Sequence, residues 1–221
     1  MGSGPAHTSN DRIEWRLAVV IGALAIALHN WWIYVYPAGW MPQGSFHALI
    51  SEASASDQPH GSLLSGFDIA VGIALLVAFG LRYRYWSRVS LAMWVYGILW
   101  ALGGLFEGIF PMQCASTPDK VCEKAELRFT LPVHHYLHIG LGVLEFAGGT
   151  FMILRARRMN SLGWLHRLGR VLTVAMLAWY PLIGLTFFTK KWQGITEPVF
   201  FVIFSVIGGA VLWYREPDPV S

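Results

Sequence analysis

The fold is decided by one apolar segment, residues 131–154, which reads LPVHHYLHIGLGVLEFAGGTFMIL. A helix of about 20 apolar residues crosses the ~30 Å hydrocarbon core of a membrane, so this segment is long enough to span it. Three of the eight histidines of the chain lie at its start. His134 and His138 are four residues apart and share one face of a helix. Because ionisable groups at membrane depth are costly and usually functional, this cluster predicts a site.

The composition is that of a membrane protein. Of the 221 residues, 55% are hydrophobic and 13% are charged, whereas a soluble domain carries about 25% charged residues. The formal net charge is +3, but the basic residues lie in short runs between apolar segments, which is typical of membrane orientation. Zinc-finger, helicase and RNA-binding signatures are absent from the sequence, so we expect no nucleic-acid partner.

Six apolar runs follow one another along the chain, each close to the length of a spanning helix. They cover residues 17–36, 63–81, 89–110, 131–154, 168–188 and 199–214. The sequence shows no internal repeat. We therefore predict an all-α polytopic membrane protein, a single six-helix bundle over residues 15–214 with polar tails at 1–14 and 215–221.

The basic residues predict an orientation for this bundle. With both termini in the cytoplasm, eleven of the 16 Lys and Arg residues lie in cytoplasmic segments and five lie in outer loops, which agrees with the positive-inside rule. Cys114 and Cys122 then share an outer loop. Oxidising conditions there favour a disulfide between them, the alternative being two free thiols.

In this topology most acids and histidines of the spans, together with polar residues of the first outer loop, collect at the outer ends of the helices. They are His29 in the first span, Asp68 in the second, Glu107 in the third, His134, His135 and His138 in the fourth, Glu197 at the start of the sixth, and Ser51, Glu52, His47 and His60 in the first outer loop.

One acid lies deeper in the fourth span. Glu145 is two turns beyond His138, and glycines between and beyond them allow close helix packing. We expect His134, His138 and Glu145 to form a stripe that faces the bundle interior. His135 and His60 are expected to face the headgroup level as amphipathic residues.

This arrangement is typical of a metal site. Two imidazoles at i and i+4 with a carboxylate from another helix suit zinc or another divalent metal. We predict His134, His138 and either Glu107 or Asp68 as ligands of a hydrolase that acts on a lipid or a lipid-linked cell-envelope precursor.

The remaining polar groups receive supporting roles in this hydrolase. Asp68 or Glu52 would act as the general base, and Ser51 or Ser65 would hold the developing oxyanion.

Three other readings use the same residues. The polar cavity could bind or transport a lipid, or relay protons through Glu145, without chemistry. The cluster could be a packing element within a larger envelope complex of unknown membrane partners. A haem between His29 and His134 or His138 is a weaker alternative, because its histidines would have to face each other at matched depth.

Several motifs carry a family resemblance. They are HALISEA at 47–53, FDIAVG at 67–72, GIFP at 108–111, CASTPDKVC at 114–122, and the histidine cluster. The chain resembles, over about residues 15–214, a bacterial six-helix membrane family known as domain of unknown function 998. The resemblance implies the fold and a bacterial cytoplasmic membrane location. The chain departs from the family pattern where Pro198, and not the expected Arg, follows Glu197.

A second resemblance concerns the site pattern alone. The chain is similar to the intramembrane zinc amidohydrolases of the alkaline-ceramidase and adiponectin-receptor group. Those enzymes use a Ser, an Asp and three His under seven helices, and here one helix is missing. This resemblance implies zinc chemistry on a lipid, with membrane lipids as the partners.

Overall fold

The computed structural model describes residues 9–42 and 46–215, and this part of the chain is helical without strands. Its α-helices are α1 Ser9–His29, α2 Trp32–Val35, α3 Gly61–Leu81, α4 Tyr83–Val89, α5 Leu91–Ile109, α6 Lys120–Leu127, α7 Val133–Arg158, α8 Trp164–Thr189 and α9 Gln193–Trp213. Short 3-10 turns lie at Ser51–Ser54 and Asn160–Leu162.

Six helical segments are long and apolar enough to cross a membrane, which confirms the predicted six-helix membrane bundle. They are Asp11–Val35, Gly61–Leu81, Leu91–Ile109, Val133–Arg158, Trp164–Thr189 and Gln193–Trp213. Because α1 begins at Ser9, the described part of the predicted N-terminal tail is helical. Residues 1–8 and 216–221 of the two predicted tails lie outside the described residues.

The first and last spanning helices bring the two ends of the chain to the same end of the bundle. The Trp15 indole donates a hydrogen bond to the Trp213 carbonyl over 3.3 Å. The opposite end carries the loop between α5 and α7, in which the predicted Cys114–Cys122 disulfide is present. We call this the disulfide end; that it faces the outside of the cell stays a prediction.

The helices are unequally buried. In the most apolar stretch of α9, 72% of the residues are buried inside the protein, whereas only 17% are buried in that of α8. The last span is therefore the most buried one, packed against α1, α7 and α8, and α8 lies at the periphery against α7 and α9. A peripheral helix leaves room for a cleft beside it.

Glycines bring α5 and α7 close together around the deep acid. A Cβ atom on Gly148 would lie 2.5 Å from the backbone nitrogen of Trp100, and one on Gly103 would lie 2.6 Å from the Cβ of Glu145. Small residues permit this approach of two backbones in a membrane. As a result, Glu145 and Trp100 are both buried at the α5–α7 contact.

The first loop packs onto the helices at the disulfide end. Ser56 donates its N–H to the Met112 carbonyl over 2.8 Å, and the Ser65 hydroxyl donates to the Ser54 carbonyl over 3.1 Å. The 3-10 turn that carries Glu52 is consequently held against α3 and the disulfide loop. This loop forms one wall of the site described below.

Candidate functional site

A buried acid on α7 is the centre of a polar cluster between four helices. One oxygen of Glu145, Oε1, accepts a hydrogen bond from the Trp100 indole over 3.1 Å and lies 2.9 Å from His29 Nε2. The Glu107 carboxyl on α5 borders the same small cavity as that of Glu145. The cluster therefore brings two acids and a histidine from three helices together at membrane depth.

A small cavity of about 20 Å³ adjoins this cluster. Its polar lining comes from α1, α3, α5 and α7 and consists of His29, Asp68, Glu107, His138 and Glu145, with Ser51 from the loop. Asp68 accepts a hydrogen bond from the Trp31 indole over 2.9 Å. This volume is enough for about one water molecule, and the lining offers the several polar partners that a buried water needs.

The protonation pattern of the neutral His138 ring follows from its neighbours. Its Nδ1 lies 3.1 Å from the Glu107 carbonyl and 3.2 Å from the Phe110 carbonyl. Carbonyl oxygens only accept, so Nδ1 carries the hydrogen and Nε2 carries a lone pair. His138 is 3% exposed, and its Nε2 has no hydrogen-bond partner among the described residues. It therefore offers a buried, uncommitted base or ligand.

A larger cavity of about 580 Å³ lies between α7, α8 and α9. Ser51, Glu107, His138 and Phe201 border both cavities, so the two adjoin at these residues. On α7 the lining runs from His138 to Phe151, which at 1.5 Å per residue is about 20 Å of helix. The cavity thus extends from the disulfide end well into the membrane-spanning part.

Near the inner end of this cavity, α7 and α8 are in contact. The hydroxyls of Thr150 and Tyr180 lie 2.6 Å apart. Further along, a Cβ on Gly169 would lie 2.6 Å from the Arg157 backbone nitrogen. Pro181, directly after Tyr180, cannot donate the helical hydrogen bond. The two helices are therefore in contact on one side of this point and separated by the cavity on the other.

The cavity has a polar end and an apolar end. Its inner lining is mostly aromatic and aliphatic, whereas its outer lining carries charged groups. Lys190 lies 3.8 Å from Glu126 and donates to the Ser116 hydroxyl over 3.4 Å. Glu197 accepts hydrogen bonds from the Ile50 N–H and, over 3.4 Å, from the Ser51 hydroxyl. The shape matches a molecule with one polar and one apolar end.

Glu52 lines the same end but is committed to the loops. Its Oε1 accepts from the Thr117 N–H over 2.7 Å and from the Ser116 hydroxyl over 3.1 Å, and its Oε2 accepts from the Leu49 N–H over 3.1 Å. Burial raises the pKa of the Glu52 carboxyl, and these hydrogen bonds and Lys190 oppose that shift. By accepting these three hydrogen bonds, Glu52 links the first loop to the disulfide loop.

The structure buries His135, and not His134, together with His138 on α7. His135, expected at the headgroup level, is fully buried. Its Nδ1 accepts from the Gln113 N–H over 3.2 Å, and its Nε2 lies 3.2 Å from Glu126, so it ties α7 to the disulfide loop. His134 is half-buried and borders neither of the two cavities. The physical reason is that the disulfide loop covers the His135 face of α7.

The predicted metal ligands are accordingly only partly brought together. His138 and Glu107 border both cavities, and Asp68 borders the smaller one, while His134 lies apart from them. Among residues 9–42 and 46–215, no three His, Cys, Asp or Glu side chains are grouped so as to hold a metal ion. A metal at this position therefore stays a prediction.

The first-loop residues have local partners. His60 stacks on Trp40 with ring centroids 4.2 Å apart, and the exposed His47 accepts a hydrogen bond from the Trp192 N–H over 3.1 Å. Neither histidine borders the two cavities. Ser51 borders both cavities, whereas the Ser65 hydroxyl is bonded to the loop backbone.

The sequence did not single out several residues that line the larger cavity. Lys190, Gln193 and Tyr180 belong to α8, α9 and their connection, which the sequence placed at the rim or in the apolar bulk. Gln193 is buried, and its Nε2 has no partner within the described residues. The polar Gln193, two residues after Lys191 at the start of an apolar run, is the one signal that could have indicated this wall.

Fold and site together define a multi-pass, all-α membrane protein with a polar cluster that adjoins an elongated cavity. The chain belongs to the family described as "Protein of unknown function (DUF998)", whose model matches residues 13–214. No curated protein and no solved structure matches the chain. Family membership confirms the resemblance stated above for the fold and leaves the chemistry to the site itself.

Proposed function

We propose that this protein binds a membrane amphiphile, a molecule with an apolar chain and a polar head, in the cavity between α7, α8 and α9. The carrying observation is the cavity itself. Its volume of about 580 Å³ falls in the range of small-molecule sites, about 300–1,000 Å³. Its apolar end would take the chain, and its polar end would take the head.

The walls support entry from the lipid phase. Val143 on α7 and Phe187 on α8 both line the cavity and are 65% and 49% exposed. Exposed apolar side chains on spanning helices face lipid, so a chain can pass between them without crossing water. The weak burial of α8 is consistent with this lateral route.

The experiment uses the full chain in lipid vesicles and a photoreactive single-chain alkyl probe with a neutral alcohol head. We expect labelling of α7 and α8 beside the cavity, and at least tenfold weaker labelling after Ala147→Trp, which fills the cavity. The matched control is Ala70→Trp, because Ala70 is exposed on α3 and borders neither cavity. Labelling spread evenly over all six spans, unchanged by Ala147→Trp, would exclude the proposal.

Hydrolysis of the bound molecule is a second candidate, favoured by the uncommitted lone pair of His138 next to Glu107. His138 would act as the general base, or together with Glu107 and Asp68 as a ligand of zinc or another divalent metal. The test is turnover of long-chain ester and amide substrates by purified protein, with added zinc and after chelation. His138→Gln should abolish turnover while labelling by the probe persists. If the native protein is labelled but shows no turnover with zinc or after chelation, hydrolysis is excluded and the binding function stands.

We further propose a bacterial cytoplasmic membrane location with the disulfide end outside. The excess of Arg and Lys in the segments at the opposite end supports it. A fluorescent protein fused after Ser221 should fold and fluoresce, since it only does so in the cytoplasm. Activity of alkaline phosphatase fused at the same point would indicate the opposite orientation.

A further inference from the structure

The two cavities adjoin in a region rich in acids. Six carboxylic acids border them, Glu52, Asp68, Glu107, Glu126, Glu145 and Glu197. Among the described lining residues, Lys190 is the single Lys or Arg, and it already contacts Glu126 and Ser116. An anionic head would bring a further negative charge against these acids in a region of low dielectric, which is unfavourable.

Most of these acids already have partners from the protein. Glu52 accepts three hydrogen bonds and Glu197 accepts two. Glu126 lies beside His135 and Lys190. Glu107 differs, because no Lys, Arg or His side chain pairs with its carboxyl among the described residues, although it borders both cavities. Its carboxyl therefore lacks a basic partner at the place where the cavities meet.

A second, independent feature at the same place is an unpaired acceptor. The Nδ1 of His138 is held by two carbonyls, and its Nε2 is buried without a partner in the part of the chain that the structure describes. Leaving a buried polar atom without a partner is unfavourable, so a ligand that donates a hydrogen bond there is favoured. The junction of the cavities thus offers lone pairs and negative charge.

Resting on the amphiphile-binding function, we propose that the head of the bound molecule is a protonated amine, held where the cavities meet by Glu107 and His138. An ammonium group has three donors and no acceptor. It can donate to His138 Nε2 and to the Glu107 carboxyl at once. Its positive charge also compensates a buried carboxylate that would otherwise lack a cation.

The test compares three photoreactive probes that share one alkyl chain and differ in the head: primary amine, alcohol or carboxylate. Binding to the unmodified full chain in phosphatidylcholine vesicles is measured at neutral pH. We expect the amine to bind at least tenfold more tightly than the alcohol, and the carboxylate to bind most weakly. This series does not depend on the folding of any variant.

Variants then locate the head. Glu107→Gln keeps the shape of the side chain against Gly142 and should weaken amine binding about tenfold, since a hydrogen bond to a charged group is lost. Alcohol binding should change less than twofold. The control is Glu123→Gln, which removes a negative charge at the disulfide end from a residue that borders neither cavity.

The outcomes separate the two proposals. If the three heads bind equally and Ala147→Trp weakens all of them, the amine assignment is wrong and amphiphile binding stands. If no probe binds, both proposals are wrong. If butylamine in water competes as well as the long-chain amine, the ligand is a soluble amine, and the amphiphile part is wrong while the amine chemistry stands.

Discussion

Replacing Glu52 tests whether this acid holds the two loops together or is a reactive group. Its carboxylate accepts from two backbone N–H groups and one hydroxyl, all in loops at the disulfide end. In Glu52→Ala these donors lose their acceptor, at about 1.5 kcal/mol each. Relief of the buried carboxylate, whose pKa is raised by burial, offsets part of this. We expect a net loss of about 3 kcal/mol.

Thermal unfolding in detergent, followed by tryptophan fluorescence, measures this loss. About 2–4 °C per kcal/mol for a chain of this size gives a Tm lower by about 6–12 °C. Glu52→Gln should lie between Ala and the native residue, because its amide keeps one acceptor oxygen but turns a donor towards the Leu49 N–H or Thr117 N–H.

The control is Glu123→Ala, a partly exposed residue paired with Lys120 over 2.8 Å on the surface. Such pairs contribute about 0–1 kcal/mol, so its Tm should stay within about 2–4 °C of the native protein. If Glu52→Ala unfolds no earlier than this control, the three hydrogen bonds do not stabilise the loops. The assignment of Glu52 as a structural link between the two loops would then be wrong.

Three further predictions concern pH, packing and the disulfide. Because the pKa of Glu52 is raised on folding, the folded state binds its proton more tightly, and this contribution to stability falls as pH rises through the raised pKa. The Tm advantage of native protein over Glu52→Gln should therefore shrink as the pH rises from 4.5. Gly148→Ala should prevent correct packing, since its Cβ would lie 2.5 Å from a backbone nitrogen of α5. Gly140→Ala should be neutral or stabilising, because there is open space around Gly140. Size-exclusion profiles in detergent should show a folded, uniform protein for Gly140→Ala and not for Gly148→Ala. Replacing Cys114 and Cys122 by Ser should lower stability by about 2.5 kcal/mol for a loop of this length, and reductant should lower the Tm of the native protein alike.

The six spans could be predicted because hydropathy over about 20 residues reports directly on membrane crossing. Their arrangement could not be predicted in the same way. The α8 and α9 runs are almost equally apolar, so hydropathy does not distinguish α9, the most buried span, from α8, at the periphery. The larger cavity depends on that difference, and with it the wall formed by Tyr180, Lys190 and Gln193.

The histidine stripe shows the same limit at the scale of one residue. His134 is four residues before His138 and His135 is three before it, and both spacings place a side chain on the same face of a helix. Glu145 is predicted correctly as facing inward, since every helix that could contact α7 there would bury it. The choice between His134 and His135 depends on which face the disulfide loop covers, a contact between segments that no local pattern records.

Residue type alone also could not separate the acids by role. Glu52, Glu107 and Glu197 lie at the same end of the bundle, and by type and depth each could hold a metal, move a proton or bind a head group. Their partners differ: Glu52 and Glu197 accept backbone N–H groups from the first loop and the disulfide loop, which fixes those loops in place. Glu107 has no basic partner among the described residues and borders the same two cavities as His138, whose Nε2 is unpaired there. An acid that has no basic partner in the fold is the one whose partner is best sought in a ligand, and this is why Glu107 and not the loop acids is the place to test recognition.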